Sequence, residues 1–252
     1  MAQTVVITGA SSGFGKATAR AFAAQGASLV LAARRIDALK TLQDELSPKV
    51  PVHIERLDVR ERDQVLEVLG GLPEEFAAVD VLVNNAGLAL GLGPAWEVDL
   101  DDWETMVDTN VKGVMYCTRA LLPGMVDRDR GHIVNLGSTA GNWPYPGGNV
   151  YGGTKAFVQQ FSRNLRADLL GTRVRVTNIE PGMAETEFST VRFKGDKTQA
   201  DKVYQGLEPL RGEDIAEIIV WSVQRPAHVN INTLEVMSVH QAWGPYASYR
   251  EG

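Results

Sequence analysis

A single cysteine, Cys117, occurs among 252 residues. This excludes a disulfide framework and any multi-cysteine metal site, and it points to a reducing compartment. The four histidines, His53, His132, His228 and His240, are scattered, and none has the spacing of a zinc site. Positive charge is not in excess: a formal net charge of -6 offers no basic field for nucleic acid. No apolar run is long enough for a membrane span, and Met1-Ala2-Gln3 leads into a strand without a charged, apolar, small-residue leader. Internal repeats, linkers and low-complexity tracts are also missing. What remains is a chain 44% hydrophobic and 22% charged. It is expected to be one domain over residues 1–252, soluble and cytoplasmic, with no membrane or nucleic-acid partner.

The β-branched run Val5-Val6-Ile7-Thr8 reads as a strand, followed by Gly9-Ala10-Ser11-Ser12-Gly13-Phe14-Gly15 and an alanine-rich helix from Lys16 to about Gln25. A strand, a glycine turn and a helix N-terminus together suit a phosphate, because glycines admit close approach and the first helical N–H groups are unpaired. A P-loop is excluded, since its first glycine would fall on Ala10 and its Ser/Thr on Ala17. Ser28 to Ala33 forms a second strand, one crossover away and therefore parallel, that ends in Arg34-Arg35. At the end of this strand a dinucleotide fold meets the adenosine ribose, where an acid would bind a 2′-hydroxyl and an arginine a 2′-phosphate. Two arginines and no acid favour NADP over NAD; a solvated basic pair opening the helix Ile36 to Leu46 is the alternative.

Further strands are expected at 52–57, 79–83, 131–136, 174–179 and near 230–237, with helices at 61–70, about 101–122, 150–170 and 212–224. Asp58-Val59 follows the third strand, where Asp58 can accept from an adenine amine, and Asn84-Asn85-Ala86-Gly87 follows the fourth. Asn110 falls inside a long helix, and the ordinary explanation for a mid-helix Asn is a surface position. Ser138 closes the fifth strand; a cap is its usual use and a catalytic hydroxyl the less common one. Asn149 is read as the cap of the next helix. The polar stretch from Glu187 to about Tyr204 has no clean period and reads as a loop that covers a ligand, and the tail contains Trp243, Tyr246 and Tyr249.

Tyr151 and Lys155 share a helix face at a spacing of four. A phenol exchanges protons poorly at neutral pH, but a neighbouring ammonium stabilises its phenolate and lowers its pKa, which makes a tunable acid/base. On the spacing alone the pair is more often a snorkelling tyrosine and a solvated lysine.

These signals occur in one order: Thr8-Gly9-x3-Gly13-x-Gly15, Asn84-Asn85-Ala86-Gly87, Ser138, Tyr151-x3-Lys155 and Pro181-Gly182-x3-Thr186. Over nearly its whole length the chain resembles a short-chain dehydrogenase/reductase. The resemblance implies an α/β fold, a single Rossmann-type doubly wound sheet of seven parallel strands with helices on both faces. It implies a catalytic set of Asn110 (anchoring a proton-relay water), Ser138 (holding the substrate oxygen), Tyr151 (acid/base) and Lys155 (lowering the tyrosine pKa and binding the nicotinamide ribose). The expected NADP(H) site comprises Gly9, Ser11, Ser12, Gly13, Phe14, Gly15, Arg34, Arg35, Asp58, Val59, Asn85, Ala86, Gly87, Tyr151, Lys155, Pro181, Gly182 and Thr186. More narrowly, segments such as Gly137-Ser-Thr-Ala-Gly-Asn-Trp-Pro-Tyr and His228-Val-Asn-Ile-Asn-Thr-Leu-Glu look like those of bacterial NADP-dependent 3-hydroxy acid dehydrogenases. Those proteins act on serine, allo-threonine and malonic semialdehyde, and a neighbouring branch reduces sulfoacetaldehyde. Both readings imply a small anionic carbonyl or 3-hydroxy acid substrate and a homotetramer. An NADP-sensing regulator without chemistry is the alternative of another class, but it would not need the filled catalytic set. For the substrate's anionic end Arg192 is the first candidate and Lys194 the second, with Asn142 and Asn149 as neutral hydrogen-bonding residues beside Ser138 and Tyr151.

Overall fold

The computed structural model describes residues 3–243, so Tyr246 and Tyr249 lie outside the described residues. The apolar runs form seven strands: β1 (Thr4–Thr8), β2 (Ser28–Ala33), β3 (Val52–Arg56), β4 (Val81–Asn84), β5 (Gly131–Leu136), β6 (Val174–Pro181) and β7 (Thr233–Val236). They pair in parallel in one sheet of order β3-β2-β1-β4-β5-β6-β7. β1, β2 and β4 are apolar almost without interruption because helices cover both faces.

Side-chain alternation divides β1 between two cores. Val5 and Ile7 point to one face, where Ala19 and Phe22 of α1 (Gly13–Ala24), Leu39 and Leu42 of α2 (Ile36–Leu46), and Ile215 and Ile219 near the chain's end pack. Val6 points to the other, against Val65 and Leu69 of α3 (Arg62–Gly70) and residues around Cys117, Leu121 and Leu165. Cys117 is buried there, and burial pushes its thiol up to about 12, so it behaves as an inert apolar group.

Between β3 and β5 the chain forms α3, a short α4 (Glu74–Ala77), β4, α5 (Leu100–Val107) and α6 (Gly113–Asp127). The helix expected over about 101–122 begins at Leu100, where Asp99 accepts from the Asp101 N–H, and continues past Pro123 to Asp127. Between α5 and α6 lies a π-helical turn, Asp108–Lys112, with Asn110 at its middle. After β5 come α7 (Asn149–Asp168), β6, α8 (Glu187–Arg192), α9 (Lys197–Lys202), α10 (Gly212–Val223) and β7. The stretch read as a loop thus contains two short helices. Thr186 caps α8 by accepting from Phe188 N–H, a local signal stronger than the absent apolar period. Asn149 is the first residue of α7 rather than its cap, and Gly148 holds the cap position. No helix among the described residues is long and apolar enough to cross a membrane.

β1 and β4 are neighbours, and from them the chain winds outward in both directions. In an open α/β sheet, a crevice opens at the carboxyl ends of the strands where the order reverses.

Candidate active site

A cleft of about 1410 Å³ runs across that crevice, larger than the few hundred Å³ a single small ligand fills. At one end lies the glycine turn. Ser12, the N-cap of α1, makes no side-chain capping bond, so the first N–H groups of the helix have no side-chain partner. Gly9 adopts φ 65°, and a Cβ there would stand 2.9 Å from both Ala86 Cα and Asn85 Nδ2, so the turn packs directly on the loop after β4. That loop is fixed by Thr8, whose hydroxyl accepts from Asn85 N–H at 3.1 Å and Ala86 N–H at 3.0 Å. Ser11, Ser12, Gly13, Phe14, Arg34, Arg35, Asp58, Val59, Asn85, Ala86 and Gly87 all line this half of the cleft. Gly15 is buried behind it.

Asp58 is already engaged. Arg60 donates from Nε and Nη2 to its two oxygens, at 3.0 and 2.6 Å, and the Arg60 N–H adds a third bond. Burial opposes ionisation of Asp58, but the Arg60 side chain and N–H and the nearby charge of Arg34 outweigh it, holding the carboxyl below its usual range. Arg60 carried no sequence signal; only the turn after β3 brings it back onto Asp58.

At the other end Ser138, Tyr151 and Lys155 meet. Ser138 Oγ accepts from Ala140 N–H at 3.1 Å and donates to Pro181 O at 3.4 Å. Tyr151 is 8% exposed and Lys155 7%. Lys155 Nζ donates to Leu136 O at 2.7 Å and sits 5.9 Å from the Tyr151 ring centroid. Asn110 is not on the surface, as its place in a helix suggested, but 1% exposed. The wider π turn aims its amide inward, where Oδ1 accepts from Leu88 N–H at 2.9 Å and Nδ2 donates to Leu88 O and Thr154 Oγ1. A Cβ on Gly87 would lie 3.3 Å from Asn110 Oδ1 and 3.5 Å from Lys155 Nζ, so the missing side chain leaves both polar atoms facing one small space.

Electrostatically the pair departs from expectation. Burial raises the Tyr151 phenol to about 12, opposed by the Ser138 hydroxyl and the Arg192 charge. Burial also lowers Lys155 to about 8. The ammonium does not hold the phenol low here, because desolvation dominates both groups and favours their neutral forms.

Arg192, at the C-terminal end of α8, reaches into this end. Its Nη2 donates to Tyr145 OH at 2.6 Å, its Nε donates to Gly91 O at 3.3 Å, and its Cζ lies 5.6 Å from the Tyr151 ring centroid. Lys194 instead turns outward and pairs with Asp102 at 2.8 Å. Asn142 donates to Glu180 and Glu235, Asn149 accepts from Trp103 Nε1, and neither is among the cleft-lining residues. Pro181, Gly182 and Thr186 also line the cleft. Tyr145 was legible only as an aromatic in a loop. Its use depends on Arg192, 47 residues away.

The profile of the short chain dehydrogenase family matches residues 3–197. The chain belongs to that family. It is 55% identical over 98% of its length to the NADP-dependent 3-hydroxy acid dehydrogenase YdfG of Escherichia coli (strain K12), covering 99% of that protein. It is also 55% identical to sulfoacetaldehyde reductase 2 of Chromohalobacter salexigens, over all of both chains. Among solved structures, the closed form of serine dehydrogenase complexed with NADP+ superposes with a TM-score of 0.96 at 55% identity, covering 98% of this chain and 99% of that one.

Proposed function

We infer that this protein is an NADP(H)-dependent oxidoreductase acting on a CH–OH group, which interconverts a small anionic 3-hydroxy acid and the corresponding semialdehyde. The observation that carries this is the meeting of Tyr151, Ser138 and Arg192 at one end of a cleft whose other end holds the glycine turn and Arg34-Arg35. A phenol, a hydroxyl and a guanidinium suit a carbonyl oxygen at one end of a short substrate and an anion at the other. The 55% identity to the two named relatives supports the same chemistry and leaves carboxylate and sulfonate both open.

The cleft fits the dinucleotide. Gly9, Ser11, Ser12 and Gly13 line the end of the cleft that would take the pyrophosphate, the uncapped start of α1 presents N–H groups there, and Arg34 and Arg35 line the part that would take a 2′-phosphate. NADP(H), when bound, supplies or accepts the hydride. In the proposed reduction Tyr151 donates its phenolic proton to the developing alkoxide while the Ser138 hydroxyl donates a hydrogen bond to the same oxygen. A phenol raised to about 12 is fully protonated at neutral pH and ready for that direction. Lys155 holds the nicotinamide ribose, and Asn110 with Lys155 holds the relay water in the space beside Gly87. Arg192 holds the substrate's anion. The reading covers one domain with a substrate cover over about 187–210, working in the cytoplasm as a homotetramer, and light scattering checks the last point against four times the 27.4 kDa chain mass.

Spectrophotometry of NADPH with malonic semialdehyde and with sulfoacetaldehyde tests the assignment. Consumption of NADPH is expected, and the ratio of kcat/KM values distinguishes the carboxylate from the sulfonate. Binding without oxidation for every short carbonyl would support a sensor instead. Replacing Arg34 and Arg35 together by Ala is expected to erode the preference for NADP over NAD by about 10- to 100-fold, mainly through KM for NADP, because a charge-assisted contact contributes about 1.5–3 kcal/mol. An unchanged ratio would place the 2′-phosphate elsewhere.

The pH profile supplies another check. With Lys155 at about 8, its ammonium is present below that pH and lost above it. The kcat/KM for NADPH, which reports groups of the free enzyme, is expected to be level below about pH 8 and to fall roughly tenfold per unit above it. Lys155→Arg should remove that limb even if the variant is slow, and a limb that stays in place would mean another group titrates.

A further inference from the structure

Arg35 has a competitor for its charge within the protein. Its Nε donates to the Ser11 hydroxyl at 3.2 Å, and its Nη1 donates to Glu187 Oε2 at 2.9 Å. Ser11 belongs to the glycine turn and Glu187 is the first residue of α8, 152 residues from Arg35 in sequence, yet all three line the same cleft. Arg35 is the ion-pair partner that Glu187 has among the described residues. The pair is open to solvent, with 53% and 57% of the two side chains exposed, so it is screened and readily exchanged.

We propose that Glu187 is a determinant of cofactor affinity: it occupies the Arg35 guanidinium until a 2′-phosphate displaces it. The proposal rests on assigning Arg34 and Arg35 to that phosphate. A phosphate monoester carries about -1.5 to -2 charges and three acceptor oxygens, so it outcompetes one carboxylate for the same donors. A 2′-hydroxyl has no such charge and leaves the Arg35–Glu187 pair intact. The displaced carboxylate then faces a like charge and moves away. Glu187 and Arg192 are the two ends of α8, so this exchange acts on the helix that carries the cation beside Tyr151. The other end of the link is equally close: a Cβ on Gly13 would lie 3.4 Å from Thr186 Cβ, so the cap of α8 rests on the glycine turn.

Calorimetric titration with adenosine 2′,5′-bisphosphate and with adenosine 5′-monophosphate tests this without turnover, in the full-length wild type, Glu187→Gln, Arg35→Ala and the double variant. Removing the competitor is expected to tighten binding of the bisphosphate about two- to fivefold, the range an exposed ion pair allows, and to leave the monophosphate unchanged. In the Arg35→Ala background the same Glu187→Gln change should have no effect, because there is nothing left to compete for. If the wild type prefers the bisphosphate but Glu187→Gln changes nothing, or if the tightening persists without Arg35, the competition is overturned while the NADP reading stands. If the wild type does not prefer the bisphosphate at all, the assignment of the arginines fails and the proposal fails with it.

Discussion

Tyr151→Phe is expected to lower kcat for semialdehyde reduction by about 10²- to 10⁴-fold, the contribution of a positioned proton donor, while NADPH affinity stays within a few-fold. The separation follows from what the ring does. It packs against Phe188 at a centroid distance of 5.6 Å and lies under the Arg192 guanidinium, and both contacts survive in phenylalanine. Only the hydroxyl is lost, and with it the one group that combines a transferable proton with a place beside the Ser138 hydroxyl. Steady-state rates with a fluorescence titration of NADPH measure the two effects separately. Turnover retained within tenfold would remove Tyr151 from the chemistry, and a large loss of NADPH affinity would make its role structural.

The second large effect is expected at Arg192. Replacing it by Met keeps the apolar stem of the side chain but removes the guanidinium, with its donors and its stacking over Tyr145 and Tyr151. KM for malonic semialdehyde should rise about 10- to 100-fold, because charge-assisted hydrogen bonds contribute about 1.5–3 kcal/mol. An uncharged aldehyde of similar size should be affected much less. Since Arg192 also donates to Tyr145 OH and Gly91 O, part of any loss is the loosening of α8 from these loops. The uncharged aldehyde measures that part. Equal effects on both substrates, or none on either, would mean that the anion is held by another group.

Much of this arrangement could be read from residue order. The continuous β-branched run of β1 and the crossover-length helix that follows it implied parallel strands, and the strand ends marked where a ligand collects; the seven-stranded sheet with helices on both faces followed from the family resemblance. Tyr151 and Lys155 gained meaning only beside the glycine turn and Ser138. Three features were not legible because nothing in the local residue pattern announces the contacts that make them. Asn110 looked like a surface residue, since nothing local announces the π turn that buries it against Leu88 and Thr154. The hold of Arg60 on Asp58 and that of Tyr145 on Arg192 are products of loop geometry. The tyrosine–lysine pair shows the limit of pairwise reasoning. Proximity of a cation predicts a lowered phenol pKa, but burial of both groups reverses the sign.

The central claim is that one short substrate spans Tyr151 and Arg192 beside the nicotinamide end of the cleft. The most direct measurement is a crystal structure of the ternary complex with NADP+ and 3-hydroxypropionate. The account predicts the hydroxyl within hydrogen-bonding distance of Tyr151 and Ser138, and the carboxylate paired with the Arg192 guanidinium. A carboxylate directed away from Arg192, or a hydroxyl out of reach of Tyr151, would contradict it.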